Sequence, residues 1–300
     1  MTSLRSRILH MTLKRVVSTL DPHLTIQEQR TRFDEMARRG TRIPKGVTAF
    51  SVQVDGVHAE WVEPSGENPQ RTILYLHGGG YCICSIDTHR GLAARLAMAS
   101  GMPVLIIAYR LAPEDPFPAA LEDALIAYRW LLRQGISPRQ IAIGGDSAGG
   151  GLTISTSVSL RETGEPLPAA IFLLSPWTDL TFSGDSIRTR KKADPIFNHN
   201  DDSFKFAPSY LGFHDPTNPS ISPLFADLAG LPTTLIQVGN DEILLDDSTR
   251  LEKNMKVAGV DARLEVWKGM WHVFQVFAPF APESQLAIEK IGYFLRQQIP

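Results

Sequence analysis

The sequence predicts an α/β chain, a mostly parallel sheet sandwiched by helices, and three observations predict it. Continuous apolar runs of strand length recur at residues 72–76, 104–108, 141–143, 171–174, 234–238 and 263–267. Strands covered on both faces read this way, because neither side of the pleat meets water. Helically spaced segments lie between most of them, at 88–99, 118–133, 150–161, 246–258 and 282–297. The alternation itself is the third observation, since parallel neighbours need a crossover that a helix can supply.

Two further strands precede these runs. Residues 48–54 and 58–62 alternate apolar and polar positions about Asp55-Gly56, a hairpin signal that gives the sheet an antiparallel start and eight strands in all. Residues 1–40 have helical spacing instead, with Ile26, Phe33 and Met36 set against Glu28, Arg30 and Arg38, and Asp21-Pro22 breaks them into two helices. No strand comes before them, so they must pack on something formed later, as a lid would. A second irregularity is the stretch between residues 174 and 234, which has no strand-length run but carries Phe197, Phe204, Phe206, Tyr210, Leu211 and Phe213. A connection this long inside a compact domain reads as a lid or binding insertion over the carboxyl edge of the sheet. The expected division is 1–45, N-terminal part of a helical cap; 46–176, first part of the core; 177–217, cap insertion; and 218–300, second part of the core.

Composition removes several function classes. The chain has 300 residues, 43% hydrophobic and 21% charged, a globular profile with ample apolar mass for a core. Its net charge is −2 and its basic residues are scattered, apart from Arg188-Thr189-Arg190-Lys191-Lys192. A nucleic-acid partner needs a dense basic face, so that run reads as a solvated loop. Cys82 and Cys84 are too close for an unstrained disulfide and have no second pair to complete a zinc site. Lys14 and Arg15 interrupt the N-terminal apolar residues, so no signal peptide is expected, and no stretch reaches membrane-span length. The expectation is a cytoplasmic protein with no cofactor and no nucleic-acid partner. Self-association as a homodimer through an edge strand or the cap is compatible with this reading, though no residue pattern points to it.

The chemistry centres on Gly145-Asp146-Ser147-Ala148-Gly149, a G-x-S-x-G pattern at the junction of a predicted strand and helix. A turn that sharp strains the serine backbone and leaves no room for side chains two residues either way. A nucleophilic serine also needs oxyanion donors, a base and an acid that orients the base. His77-Gly78-Gly79-Gly80 directly follows the run at 72–76, and bare backbone there can approach a ligand oxygen. The expected donors are the N–H groups of Gly78, Gly79 and Ala148. No Gly-Lys-Ser/Thr follows, which disfavours a phosphate loop.

Of the eight histidines, His272 lies in a loop after the last strand and before the final helix, where it can swing over the serine. His77 reads as a loop brace and His89 as a capping or surface residue. The loop at 239–247 offers four carboxylates. Helix capping accounts for Asp246 and Asp247, while Asp241 and Glu242 can both reach the histidine, and spacing does not choose between them. The order serine, acid, histidine is that of α/β-hydrolases.

Taken together, His77-Gly-Gly-Gly80, Tyr109-Arg-Leu-Ala-Pro-Glu114, Pro118-Ala-Ala-Leu-Glu-Asp123, Gly145-Asp-Ser-Ala-Gly149 and His272 resemble the bacterial hormone-sensitive-lipase-like (family IV) esterases, in the subgroup with this version of the serine turn. The resemblance covers residues 45–300 and implies an α/β-hydrolase fold with a two-part helical cap. The family's acid loop, G/A-x-x-D-x-L-x-D, laid on Gly239-Asn-Asp-Glu-Ile-Leu-Leu-Asp246, places the acid at Glu242, where the family has aspartate. The resemblance also makes Tyr109, Arg110, Glu114, Glu122 and Asp123 a scaffold bracing the glycine loop, and Asp146 a turn stabiliser.

The implied activity is hydrolysis of short- to medium-chain carboxylic esters through an acyl-enzyme, with Ser147, His272 and Glu242 as the triad. Tyr81, Trp177, Phe204, Tyr210 and Trp271 suggest an apolar substrate pocket. A deacetylase or lactonase of the same fold is the alternative. A non-catalytic small-molecule receptor is the other class, disfavoured because Ser147 and His272 are both present.

Overall fold

The computed structural model describes residues 2–19, 21, 23–40, 43–66, 70–197 and 203–299, with backbone alone for residues 39, 40 and 203–205. The elements run α1 (Leu4–Val17), α2 (Ile26–Gly40), β1 (Val47–Val54), β2 (Val57–Pro64), β3 (Thr72–Leu76), α3 (Ile86–Ser100), β4 (Val104–Ile107), α4 (Ala119–Arg133), β5 (Ile141–Asp146), α5 (Ala148–Glu162) and β6 (Ala170–Leu174). They continue with α6 (Ser186–Thr189), α7 (Ser203–Leu211), β7 (Thr233–Gly239), α8 (Leu245–Val257), β8 (Ala262–Trp267) and α9 (Pro282–Gln298). The eight strands form one sheet in the order β1-β2-β4-β3-β5-β6-β7-β8. β2 is antiparallel to both β1 and β4, and the remaining pairs are parallel. This is the α/β-hydrolase architecture.

The core shows why the central runs are apolar at every position. Along β3, Leu74 and Leu76 enter a cluster with α4 and α5, whereas Ile73 and Tyr75 enter the opposite cluster with α3 and α9. Each fully buried aliphatic side chain contributes about 1.5–3 kcal/mol relative to exposure. β8 departs from the expectation of two-sided cover. It is the sheet edge, only Ala262 in it is fully buried, and Arg263 and Val266 are exposed. Among the described residues, no helix is long and apolar enough to cross a membrane.

The parallel arrangement puts the carboxyl ends of β3, β5, β6, β7 and β8 on one edge of the sheet. α7 lies over that edge. The Phe206 ring packs so closely on Gly80 that a Cβ there would come within 2.6 Å of it, and Cys82 Sγ sits 3.6 Å from the Phe206 carbonyl. α2 reaches the same region through Arg30, which donates to the carbonyls of Cys82 and Ala112 at 2.6 Å each and pairs with Glu114 at 2.7 Å. α1 is fastened to α9, with Ser3 and Ser6 both donating to Glu283, and to the insertion, with Lys14 Nζ donating to the Lys192 carbonyl at 3.0 Å.

Candidate active site

β5 ends at Asp146 and α5 begins at Ala148, leaving Ser147 alone between them at φ 51° and ψ −120°. A side chain rarely adopts that backbone, and the surroundings hold it there. The Ser147 N–H donates to the Leu174 carbonyl at 2.9 Å, and the Ser147 carbonyl accepts the Trp177 N–H at 2.8 Å. The glycines on either side are required by contact. A Cβ on Gly145 would lie 2.4 Å from the Gly149 carbonyl oxygen, and one on Gly149 would lie 1.9 Å from that of Leu76. The end of β3 is therefore pressed directly against the serine turn.

Beyond Leu76 the chain enters the glycine loop, whose hub is Asp146. Asp146 Oδ1 accepts the Tyr75 hydroxyl at 2.7 Å and the Gly78 N–H at 3.0 Å, and Oδ2 lies 3.1 Å from His89 Nε2. Two expectations change here. The Gly78 N–H is committed to Asp146 and is not available to an oxyanion. The N–H groups of Gly79, Gly80 and Ala148 donate to no acceptor among the described residues. His89 is neither a cap nor a surface residue but the buried partner of Asp146. Burial opposes both charges of this pair, yet their mutual attraction and hydrogen bonds prevail, raising the His89 pKa and lowering that of Asp146. The pair's contribution is therefore lost as pH falls through the lowered carboxyl value or rises through the raised imidazole value. Asp146→Asn should cost about 3 kcal/mol of unfolding free energy, because one charge of a buried pair is left uncompensated. Guanidinium denaturation at neutral pH measures this.

His77 is buried, stacks on Tyr109 with 4.3 Å between ring centroids, and places Nδ1 2.7 Å from the Gly78 carbonyl, to which it donates. Burial pushes its pKa down to about 4, so it is neutral. The Tyr109 hydroxyl donates to the His77 carbonyl at 2.6 Å. The other scaffold residues act less directly. Arg110 is exposed and pairs with exposed Glu122 and buried Asp123, and Glu114 reaches the chain after the glycine loop only through Arg30 of α2, which donates to the Cys82 carbonyl.

The loop after β7 brings Glu242 and His272 together. Glu242 is fully buried. Its Oε1 accepts the Gly239 N–H at 2.9 Å, closing the loop, and its Oε2 lies 3.0 Å from His272 Nδ1. With Nδ1–H donated to the carboxylate, the Nε2 lone pair is left as the basic site. Burial opposes the imidazolium, but the Glu242 hydrogen bond and charge, with the charges of Asp194 and Asp146, outweigh it and raise the His272 pKa. Asp241, the other acid considered, is half-buried, accepts from Asn240 Nδ2 at 2.9 Å and has its N–H on the Met270 carbonyl.

A chain of contacts links this pair to the serine. The Val273 N–H donates to Ser175 Oγ at 3.0 Å, and Ser175 follows Leu174, whose carbonyl holds Ser147. Asp246 and Asp247 do not cap α8. They reach across to the chain after β6, where Asp246 accepts the Ser186 N–H and Asp247 those of Thr178 and Asp179. Burial pushes the Asp247 carboxyl up to about 7.

Three of the five expected pocket aromatics gather beside the serine turn. Tyr81 and Tyr210 stack at 3.7 Å, and Trp177 lies 6.1 Å from Tyr81 with its indole N–H on the Asp179 carbonyl. A Cβ on Gly151, in the first turn of α5, would meet the Trp177 carbonyl at 2.1 Å and the Tyr81 hydroxyl at 3.0 Å. Trp271 does not join them. It is fully buried among Met270, Phe274, Leu9 and Leu13, with His10 of α1 edge-on to it at 5.6 Å. It is a core residue beneath α1. Phe204 lies in α7, and its side chain is outside the described residues. The structure adds Phe206 over Gly80 and Phe197, whose ring meets His272 edge-on at 5.0 Å. Both belong to the aromatic run of the insertion, but only the fold shows which aromatics face the loops.

Comparison with known proteins gives the family. A family model described as the alpha/beta hydrolase fold matches residues 73–276. An acetyl-hydrolase of Streptomyces hygroscopicus is 46% identical over 245 residues, covering 82% of this chain and 81% of that protein. An esterase of Acinetobacter venetianus is 37% identical over 262 residues, covering 87% and 86%. Among solved structures, an esterase from the bacterial hormone-sensitive lipase family superimposes over 100% of both chains with a TM-score of 0.95 and 45% identity.

Proposed function

The chain belongs to the hormone-sensitive-lipase-like branch of the α/β-hydrolases and is a carboxylic ester hydrolase; from that premise we propose that Ser147 is its nucleophile, His272 its general base and acid, and Glu242 the acid that orients His272. The observation that carries this reading is the buried 3.0 Å contact between Glu242 and His272 at the sheet edge where Ser147 is held in a strained turn. Ser147 Oγ attacks the ester carbonyl while His272 Nε2 takes its proton, and the imidazolium is stabilised by Glu242. The N–H groups of Gly79, Gly80 and Ala148 receive the oxyanion. His272 then protonates the leaving alcohol, and it activates the water that releases the acid.

The substrate is a small-molecule ester. Short to medium acyl chains fit the aromatic group of Tyr81, Trp177 and Tyr210, and acetyl esters among them fit the kinship with an acetyl-hydrolase. Residues 1–45 and 177–217 form the cap. The two free thiols, Cys82 and Cys84, suit the reducing cytoplasm as the working compartment. Labelling with a fluorophosphonate followed by peptide mapping tests the assignment. One label per chain on the Ser147 peptide is expected, together with turnover that falls along a nitrophenyl ester series from short to long acyl chains. A label elsewhere, or none, overturns it.

A further inference from the structure

The insertion touches the triad at a residue that the mechanism above does not use. Asp194 is a fully buried carboxylate whose oxygens face two different segments. Oδ1 accepts the N–H groups of Ile196 at 2.8 Å and Phe197 at 3.3 Å, fixing a tight turn. Oδ2 accepts the N–H of Ile243, the residue after Glu242, at 3.1 Å. The turn presents Phe197, whose ring meets His272 at 62°. One carboxylate thus binds the insertion to the acid loop and seats an aromatic ring against the base.

We infer that Asp194 is a positioning residue for ester hydrolysis, holding Glu242 and Phe197 in place against His272 and lending its charge to the imidazolium that forms. This rests on the triad proposed above. A loop tie alone needs only a neutral acceptor. An ionised carboxylate costs desolvation when buried, and its placement beside a base that becomes cationic offsets that cost. Burial pushes the Asp194 carboxyl up to about 6, with the His272 charge opposing and the Glu242 charge adding to the rise. It is therefore ionised where the esterase base is unprotonated. Among the described residues, the other titratable groups facing this cluster are Asp146 at the serine turn and His10 of α1, whose Nε2 donates to the Ala193 carbonyl at 2.9 Å.

The test compares Asp194→Asn, Asp194→Glu and Phe197→Ala with the parent chain on a short-chain nitrophenyl ester, each normalised to the sites a fluorophosphonate labels at completion. Asp194→Asn is expected to lower kcat by about ten- to a hundredfold with KM within about twofold, the scale of a misplaced catalytic group. It should also move the acid limb of kcat/KM to lower pH, because the imidazolium loses a neighbouring negative charge. Asp194→Glu should recover part of kcat and return the limb. Unchanged kcat, or lost kcat with an unmoved limb, overturns the inference. Phe197→Ala removes a half-buried ring and decides the matter if Asp194→Asn does not fold: a severalfold loss of kcat supports the inference, and an unchanged kcat overturns it. Retained turnover in Ser147→Ala would instead defeat the triad reading itself.

Discussion

Replacing Ser147 by alanine is expected to lower ester turnover by about five to six orders of magnitude, the loss seen when a triad nucleophile is removed. The fold should survive. The strained backbone at φ 51° is held by main-chain bonds to Leu174 and Trp177, which an alanine retains. Steady-state hydrolysis of a short-chain nitrophenyl ester, with thermal unfolding as the control, measures both. The residual rate should still exceed that in water, because the backbone donors at Gly79, Gly80 and Ala148 remain. If Ser147→Ala retained wild-type turnover, the nucleophile would have to be another residue.

The second large effect separates two adjacent acids. Glu242→Gln should lower kcat by about two to four orders of magnitude, as when a triad acid loses its charge. A glutamine amide facing Nδ1 favours the tautomer with the proton on Nε2, which cannot accept the serine proton. Asp241→Asn should leave kcat within about twofold, since its carboxylate bonds Asn240 and not His272. Glu242→Asp should fall between, because a side chain one methylene shorter cannot keep both the Gly239 N–H and His272 Nδ1. Parallel kinetics on the three variants decide the assignment, and a larger loss in Asp241→Asn reverses it.

The fold was legible where pattern and environment coincide. The run at 72–76 is β3 residue for residue, because a strand sandwiched between α3 and α4 must be apolar on both faces. At the loop 239–246 pattern does not decide: spacing leaves Asp241 and Glu242 equal, the family resemblance favours Glu242, and it is Glu242 Oε2 that lies 3.0 Å from His272 Nδ1. What was not legible depends on partners remote in sequence. The Gly78 N–H is taken up by Asp146, which lies 68 positions on. His89 is buried for the same reason, across 57 positions. Trp271 sits next to the base in sequence but packs inward against α1, whose docking no local periodicity announces. Asp194 carried no motif at all, since its partners are backbone N–H groups, which every residue but proline supplies.

The contact between the end of β3 and the serine turn has a mechanical meaning. One peptide carbonyl, that of Leu76, abuts Gly145 and Gly149 together, with 2.5 Å and 1.9 Å to the positions a methyl group would take. The serine turn and the strand that leads into the glycine loop are thus two parts machined to a common bearing surface, with no clearance for a single carbon atom. A side chain added at either glycine throws both out of gauge at once.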